Sequence, residues 1–187
     1  MPKSTLKEYF HAEIIGGKEK PFSWLKVLRR ARRSKRCNYI FWWRIANHLH
    51  EKKGMLKSLS NTIGNRLVSK HNMEIMLGAE IGEGLIIAHN VGIVITKNVK
   101  IGKNFLIRQN CTIGTDFKGS EPITIGDNVK MGANSCIIGN GISIGDNTII
   151  GAMSFINKDI PANSTVYTRK EVVVREKPPK DASTQLR

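Results

Sequence analysis

The dominant pattern in the chain is a repeat of six residues. An aliphatic residue followed by glycine recurs between residues 81 and 151, and all but two of the intervals between these pairs are multiples of six. A period of six fits neither an amphipathic helix nor a simple alternating strand. It fits a triangular coil in which each face takes six residues and one apolar side chain per face points inward. Large apolar residues follow this step at Ile75, Ile81, Ile87, Ile93, Val99, Phe105 and Cys111.

Asparagines occur close to the expected corners of this coil, at Asn104, Asn110, Asn128 and Asn147. Positive φ angles at a corner are best tolerated by glycine, asparagine and aspartate. One coil cannot bury its inner face alone, so neighbouring coils must stack and share a continuous core. The sequence therefore predicts an all-β fold, a parallel β-helix over residues 73–165, in preference to a β-sandwich.

The segments on either side of the repeat have different patterns. Residues 1–72 are predicted to form a basic helical segment, with helical periodicity across 22–70 that Gly54 interrupts. An aromatic-rich stretch at 39–46 favours core or oligomer contacts, and we expect these helices to cover the open first coil. Residues 166–187 are predicted to contain a strand at 172–174, followed by a polar tail that we expect to be disordered.

The net charge of +15 is concentrated near the N-terminus. Residues 18–57 contain thirteen lysines and arginines against Glu19 and Glu51, a net charge of +11. Such a segment attracts anionic surfaces. The aromatic residues are clustered instead of interleaved along a groove, so nucleic acid is not expected to be a partner. An anionic membrane surface and a purely solubilising role both remain open.

The expected compartment is the cytoplasm, with a peripheral position at the inner membrane face as an option. The first twenty residues lack a signal-like apolar run, and the apolar stretch 39–49 is too short to span a bilayer. Cys37, Cys111 and Cys136 are expected to be free thiols in a reducing environment. Cys111 continues the inward series, which favours a buried structural thiol over a nucleophile.

The repeat, Glu74-Ile75 and the run from Ala88 to Ile95 (AHNVGIVI) together resemble the hexapeptide-repeat acyltransferases. The nearest resemblance is to the serine acetyltransferase-like branch, which includes colanic-acid and capsule polysaccharide O-acetyltransferases, and it covers about residues 71–165. The resemblance implies a left-handed parallel β-helix and acetyl-CoA as the acyl donor, with no metal. It also implies a homotrimer with active sites between subunits.

Acetyl transfer from a thioester to a hydroxyl needs a base for the hydroxyl proton and stabilisation of the oxyanion. An imidazole suits the first task because its ordinary pKa lies near neutrality. His89 is the only histidine inside the repeat proper, and it lies where the resembling family carries its catalytic base. Glu74 lies where serine acetyltransferases carry an aspartate paired with that histidine. The resemblance therefore implies that Glu74 orients His89.

The same resemblance implies further site residues. Small residues would accompany the pantetheine arm of CoA, two basic residues would neutralise its phosphates, and a loop over 113–122 would overhang the site. The expected cofactor-binding residues are Gly132, Ala133, Gly151, Ala152, Arg169 and Lys170. The expected acceptor-binding residues are Ala88, Asn90, Asp116, Lys118 and Glu121.

The acceptor is expected to be a sugar hydroxyl of a capsule, exopolysaccharide or O-antigen, or of its precursor. Serine acetyltransferases have an aspartate where this chain has Ala88, and Arg-His-Pro where it has Ser120, Glu121 and Pro122. These departures remove the groups expected to hold an amino acid. Serine O-acetyltransferase and sugar N-acetyltransferase activities stay open as alternatives. A zinc enzyme would need three histidine ligands, and only His89 is suitably placed.

Overall fold

The computed structural model of this protein describes residues 4–17, 19–115, 120–169, 171 and 174. Its N-terminal part is helical: α1 (Leu6–Phe10), a π-helix (His11–Ile15), α2 (Trp24–Arg33), α3 (Lys35–His50) and α4 (Met55–His71). Short strands follow: β1 (Glu74–Ile75), β2 (Glu80–Ile81), β3 (Ile86–Ile87), β4 (Val94–Ile95), β5 (Val99–Ile101), β6 (Leu106–Ile107), β7 (Thr112–Gly114), β8 (Ile123–Ile125), β9 (Lys130–Met131), β10 (Cys136–Ile138), β11 (Ser143–Ile144), β12 (Ile149–Ile150), β13 (Phe155–Ile156) and β14 (Thr165–Val166).

The strands wind into a triangular solenoid of about four turns. Sheet A has the order β1-β4-β7-β10-β13, sheet B β11-β8-β5-β2 and sheet C β14-β12-β9-β6-β3. All the strand pairs are parallel, and the chain returns to the same sheet after every third strand up to β13. Before β14, an isolated bridge between Ile144 and Ile160 stands in place of a strand in sheet B. The hexapeptide repeat indicates that this β-helix is left-handed. The fold predicted from the sequence is therefore confirmed.

Buried side chains stack in columns along the axis of the β-helix. In sheet A, Ile75, Ile95, Ile113 and Ile137 lie in register on successive strands, and all four are at most 3% exposed. Burial of each isoleucine contributes about 1.5–3 kcal/mol relative to an exposed side chain. Truncation of a central member such as Ile113 to alanine would cost about 2–5 kcal/mol, because the neighbouring coils cannot close the cavity.

Cys111 lies inside the coil, as the sequence predicts. Its thiol is fully buried and lies 3.0 Å from the carbonyl oxygen of Gly132. Burial raises the pKa of the Cys111 thiol and also that of the half-buried Cys136 thiol. A thiol held in its protonated form is a poor nucleophile, which agrees with a structural role for Cys111.

Columns of left-handed asparagines turn two of the three edges of the β-helix. Between sheets B and C, Asn104, Asn128, Asn147 and Asn163 have φ between 56° and 58°. Their side-chain amides form a ladder, with each Nδ2 donating to the Oδ1 of the next residue at 2.9–3.1 Å. Asparagine is favoured here because it tolerates positive φ and its amide can both donate and accept along the stack.

A second column of left-handed residues turns the edge between sheets C and A. It contains Gly92, Asn110 and Asn134, and the Asn110 amide donates to Asn134 at 3.1 Å. The column begins before the β-helix itself, at Asn72, the left-handed C-cap of α4. The carbonyl oxygen of Asn72 accepts a hydrogen bond from the backbone N–H of Gly92 at 2.8 Å. The end of α4 is thus aligned with the corners of the coils.

Helix α3 covers the first coil and satisfies its unpaired backbone groups. The Trp43 indole donates to the carbonyl oxygen of Ile75 at 2.9 Å, and the Tyr39 hydroxyl accepts the N–H of the same residue at 2.9 Å. The Asn47 amide makes two further hydrogen bonds to the corner that follows. An exposed strand edge invites pairing with other chains, so these contacts protect the start of the solenoid.

A buried ion pair anchors the second face of the first coil. Arg44 donates to the carbonyl oxygens of Ile81 and Gly82, both at 2.7 Å, and to the carboxylate of Glu13. Glu13 in turn accepts the backbone N–H of Leu85 at 3.1 Å. The covering of the first coil by helices, expected from the sequence, is therefore observed through specific polar contacts.

The helical periodicity across 22–70 is confirmed by α2, α3 and α4, with Gly54 immediately before α4. The periodicity of the chain does not indicate α1 and the π-helix, which follow a capping box formed by Thr5 and Glu8. The strand expected at 172–174 and the tail that follows lie almost entirely outside the described residues.

Among the described helices, none is both long enough and apolar enough to cross a bilayer. The division into three domains stays a prediction.

Candidate active site

The predicted base, His89, lies on an outward bulge of the first coil. Ile87 pairs with Ile107 in sheet C, and Ile95 pairs with Ile113 in sheet A. Ile95 is eight residues after Ile87, whereas their partners in the next coil, Ile107 and Ile113, are only six residues apart. The first coil therefore has two extra residues at this edge, and they must protrude from it.

The backbone of the bulge holds the His89 side chain away from the core. His89 has a left-handed conformation with φ of 59°, and its carbonyl oxygen accepts the N–H of Val91 at 2.8 Å. The bulge is tied to the next coil on both sides, because Ala88 donates to Ile107 and Asn110 donates to Val91. A left-handed backbone costs a residue other than glycine about 1–2 kcal/mol. Such strain is common at functional sites, and His89 is exposed.

Glu74 lies at the same edge, on the outer side of sheet A. It is half-buried, is in register with Val94, and its N–H donates to the carbonyl oxygen of Ile93 at 2.7 Å. Within the described residues, no hydrogen bond or ion pair joins its carboxylate to the His89 imidazole. Burial raises the pKa of the Tyr39 phenol well above its ordinary value, and the Glu74 carboxylate adds to this increase. The predicted pairing of Glu74 with His89 stays a prediction.

The small residues predicted to bind the cofactor share the edge of His89. Gly132 and Ala133 turn this edge in a later coil, and Gly151 and Ala152 turn it in the coil after that. A Cβ atom at Gly132 would lie 2.5 Å from the backbone nitrogen of Ala152. The stacking of the coils is therefore a sufficient reason for glycine at position 132, independent of cofactor binding. The result is a shallow track of backbone and small side chains along the edge.

Arg169 follows the last described strand at the end of this track. Its neighbour Thr168 fixes the backbone there, because the Thr168 hydroxyl accepts the N–H of Phe155 at 2.9 Å and its N–H donates to the Ser154 hydroxyl. Arg169 is exposed, so its guanidinium is available to an anionic ligand. Lys170, the second predicted phosphate contact, lies outside the described residues.

The predicted acceptor-binding residues are divided between two edges. Ala88 and Asn90 belong to the bulge of His89, and both are half-buried. Glu121 lies on the edge between sheets A and B, where its carbonyl oxygen accepts hydrogen bonds from Asn98 and Gly141. A single chain therefore does not bring Glu121 to His89. Asp116 and Lys118 lie outside the described residues.

Gln109 is a polar residue at this edge that the sequence analysis did not select. It lies in the coil next to the bulge, between the hydrogen-bonded residues Ile107 and Asn110. Its Oε1 is buried and has no hydrogen-bond partner among the described residues. The repeat gives no signal for it, because polar residues occur at most corners of the coil.

The two faces beside this edge carry exposed apolar residues on their outer sides, together with Glu74 and Lys130, whereas the outer side of the third face is polar. Exposed apolar residues on or beside the edge are Ile86, Val91, Val94, Ile149, Met153, Phe155 and Tyr167. The outward residues of sheet B are instead Glu80, Lys100, Thr124 and Ser143. Groups of three or more side chains suited to holding a metal ion are absent from the described part of the chain.

Comparison with known proteins agrees with this architecture. Residues 122–158 match the family model described as the hexapeptide repeat of succinyl-transferase. Galactoside O-acetyltransferase of Escherichia coli K12 is 40% identical over 96 residues, 45% of this chain and 47% of that protein. The mitochondrial serine acetyltransferase 3 of Arabidopsis thaliana is 41% identical over 75 residues, 39% of this chain and 19% of that protein. The chain spans at most about half the length of these curated relatives.

Solved structures give the same result. Serine acetyltransferase isoform 3 of Entamoeba histolytica, in complex with cysteine, has a TM-score of 0.72 and 27% identity, covering 92% of this chain and 60% of that one. The Neisseria gonorrhoeae enzyme in complex with serine has a TM-score of 0.66 and 32% identity, covering 72% and 55%. A serine acetyltransferase complex with CoA has a TM-score of 0.64 and 28% identity, covering 71% and 54%. The chain is thus similar, over its hexapeptide repeat, to serine acetyltransferases and to a galactoside O-acetyltransferase.

Proposed function

We propose that this protein transfers an acetyl group from acetyl-CoA to a sugar hydroxyl of a surface polysaccharide or its precursor. The observation that carries the proposal is the position of His89. It protrudes on a bulge at one edge of the β-helix, and the later coils of that edge present small residues. A base next to an open track is what a transferase needs for two substrates that must meet in line.

The proposed mechanism uses His89 as general base. One imidazole nitrogen accepts the proton of the acceptor hydroxyl while the oxygen attacks the thioester carbonyl. The tetrahedral intermediate collapses with cleavage of the carbon–sulfur bond, and the imidazolium returns the proton to the leaving thiolate. Glu74, at the same edge, would orient the imidazole and stabilise its charged form.

The track along the edge supports the assignment of the donor site. The exposed Ala152 and the half-buried Ala133 leave room for an extended arm close to the main chain. Arg169 lies at the far end of the track, where a guanidinium could bind phosphate in a bidentate manner. The residues present therefore fit the pantetheine and phosphate groups of CoA.

A trimer with sites between subunits is part of the proposal. Glu121 lies on a different edge from His89, so both can line one acceptor site only if Glu121 comes from a neighbouring subunit. The apolar outer sides of sheets A and C support contact between subunits along these two faces, because exposed apolar patches commonly mark such interfaces. The polar outer side of sheet B would face the solvent.

The acceptor assignment rests on both the relatives and the departures from the serine pattern. The galactoside O-acetyltransferase relative is named for a sugar acceptor. Ala88 stands in place of an aspartate, and Ser120 and Glu121 stand in place of an arginine and a histidine, of the serine-specific pattern. A site built on hydrogen bonds loses much when its partners are missing. Serine O-acetyltransferase is the second candidate, because the similar solved structures include an enzyme bound to serine.

The test is the release of free thiol from acetyl-CoA by the purified full chain. A hexose-containing oligosaccharide, a free galactoside, an amino sugar nucleotide and L-serine are compared at equal concentration, and the acetylated product is identified by mass spectrometry. We expect stimulation by a sugar and very little by serine. Acetylation of L-serine at an ordinary enzymatic rate, with all sugars ignored, would overturn the sugar proposal and leave the roles of the fold and His89 unchanged.

A further inference from the structure

Helix α2 presents apolar side chains to the solvent on the side away from the core. Val27 and Ala31 bury the inner side of the helix, whereas Trp24, Leu25 and Leu28 are 52%, 77% and 45% exposed. Two large leucines at this exposure on one short helix have no partner within the described chain. A surface of this kind usually marks a binding site.

Arginines are interleaved with these apolar side chains. Arg29 lies one turn after Leu25, and Arg32 lies one turn after Leu28, so the four residues share one side of the helix. We call Trp24, Leu25, Leu28, Arg29 and Arg32 the α2 face. Both arginines are exposed. An amphipathic helix with bulky apolar residues and arginines on its exposed side is suited to a membrane interface.

A second exposed tryptophan is connected to the α2 face by a series of ring contacts. The Trp24 ring meets the Phe10 ring edge-on, with their centroids 6.0 Å apart, and Phe10 stacks on Phe41 with a centroid distance of 5.0 Å. Phe41 in turn contacts Trp42, with a centroid distance of 5.2 Å. Trp42 is 42% exposed and borders an apolar groove of about 300 Å³ with Leu59. Both tryptophans thus pack against buried rings, and tryptophan is favoured at the boundary between headgroups and acyl chains.

The charge around the α2 face limits what can bind it. Arg44 is buried in its pair with Glu13 and does not contribute to the surface, which corrects the sequence-based view of segment 18–57 as one basic block. The remaining described lysines and arginines of the segment are exposed, apart from the half-buried Arg36. Two copies of this chain that paired their α2 faces would bring two strongly positive surfaces together. An anionic surface instead complements them.

We propose that the α2 face docks the protein on an anionic lipid bilayer. The arginines bind lipid phosphates and anionic headgroups, while Leu25, Leu28 and the Trp24 ring enter the boundary of the acyl chains. This binding does not depend on the proposed acetyltransferase activity. It would place the protein at a surface where lipid-linked acceptors are found.

The first experiment measures binding of the full chain to vesicles by co-sedimentation. Vesicles of phosphatidylcholine alone are compared with vesicles containing about 30 mol% phosphatidylglycerol. Binding to the anionic vesicles alone is expected, and Arg29→Gln/Arg32→Gln should weaken it by on the order of tenfold. Lys100→Gln/Lys158→Gln, which removes the same charge from exposed positions on the β-helix, is the matched control and should change binding by less than about twofold. Equal losses in the two variants would overturn the proposal.

The second experiment tests insertion of the apolar side chains. Lipids brominated in the acyl chain should quench tryptophan fluorescence in the anionic vesicles, and Trp24→Phe should remove a larger share of that quenching than Trp42→Phe, because only Trp24 belongs to the α2 face. Leu25→Ser/Leu28→Ser should weaken vesicle binding by on the order of tenfold, because exposed apolar area no longer enters the bilayer. Circular dichroism checks that each variant is folded.

Two other outcomes would identify a different occupant. Self-association that the leucine variant abolishes, without vesicle binding, would assign the α2 face to a contact between copies. Retention by duplex DNA or single-stranded RNA, without vesicle binding, would assign it to nucleic acid. Either result overturns the membrane proposal.

Discussion

Arg44 and Glu13 form an ion pair that is almost completely removed from solvent. Their side chains are 4% and 0% exposed, and the guanidinium Nε donates to the carboxylate at 3.1 Å. The guanidinium also lies 3.8 Å from the centre of the Tyr9 ring. The pair connects the π-helix, α3 and the first coil, so it couples the helices to the β-helix.

Arg44→Met is expected to lower the free energy of unfolding by about 3–5 kcal/mol, because it leaves the Glu13 carboxylate buried without its partner. Chemical denaturation followed by circular dichroism measures the change. Glu13→Gln/Arg44→Met should recover part of the loss. Lys57→Met, at an exposed position of α4, is the control and should stay within about 0.5 kcal/mol of the unchanged protein. A similarly small effect of Arg44→Met would contradict the coupling.

His89→Ala should reduce turnover by on the order of 10²- to 10⁴-fold, because the variant lacks the proposed base. Glu74→Gln should cost less, since Glu74 orients the imidazole and does not transfer the proton. Thiol release with the best acceptor found measures both effects, and light scattering checks that assembly is unchanged. His48→Ala, at an exposed position of α3, is the control. Near-normal turnover by His89→Ala would remove His89 from the mechanism.

Asn128→Ala should destabilise the fold by about 2 kcal/mol. The substitution removes two exposed amide hydrogen bonds of the ladder and leaves alanine at a φ of 58°. Asn128→Gly loses the same hydrogen bonds without the backbone strain, so it should cost less than alanine. Denaturation midpoints of the two variants separate these contributions. If glycine proves as destabilising as alanine, the left-handed backbone is not the reason for asparagine at this corner.

Stability is expected to fall when the pH drops below about 6.5. Burial holds the pKa of His71 below its ordinary value, with a further contribution from the charges of Lys70 and Lys35. At a pH between the folded and the unfolded pKa of His71, the unfolded chain therefore binds more protons than the folded chain. Stability is consequently lost as the pH falls through the unfolded pKa. Urea midpoints at about pH 7.5 and about pH 5.5 should differ less in His71→Gln than in the unchanged protein. His48→Gln, the exposed control, should leave that difference intact.

The sequence predicts the repeat and the buried columns because the hexad is a local pattern. It could not show that His89 lies on a bulge. Ile87 and Ile93 are six residues apart, which matches the hexad, whereas the corresponding buried residues of the next coil, Ile107 and Cys111, are only four apart. The two extra residues therefore produce a spacing of six between Ile87 and Ile93, which looks like an ordinary repeat. Only the pairing of the strands with the next coil reveals them.

The contacts of the helices with the first coil were also beyond the sequence. Arg44 interrupts an apolar stretch, and from the sequence it indicated only that this stretch does not span a membrane. Its partner Glu13 is thirty-one residues away, in a helix that the periodicity did not indicate. Long-range pairing of this kind depends on how the helices are placed, which local patterns do not determine.

The alignment of Asn72 with the corners of the coils has a consequence for how the chain folds. The end of α4 supplies a preformed first step, since its carbonyl group already occupies the position that a preceding coil would provide to Gly92. Each later coil then adds to the one before it, and its stability comes mainly from that neighbour. The first coil therefore depends on the helices for the support that each later coil receives from its neighbour. Loss of the last coil would shorten the stack, whereas loss of α4 would remove its template.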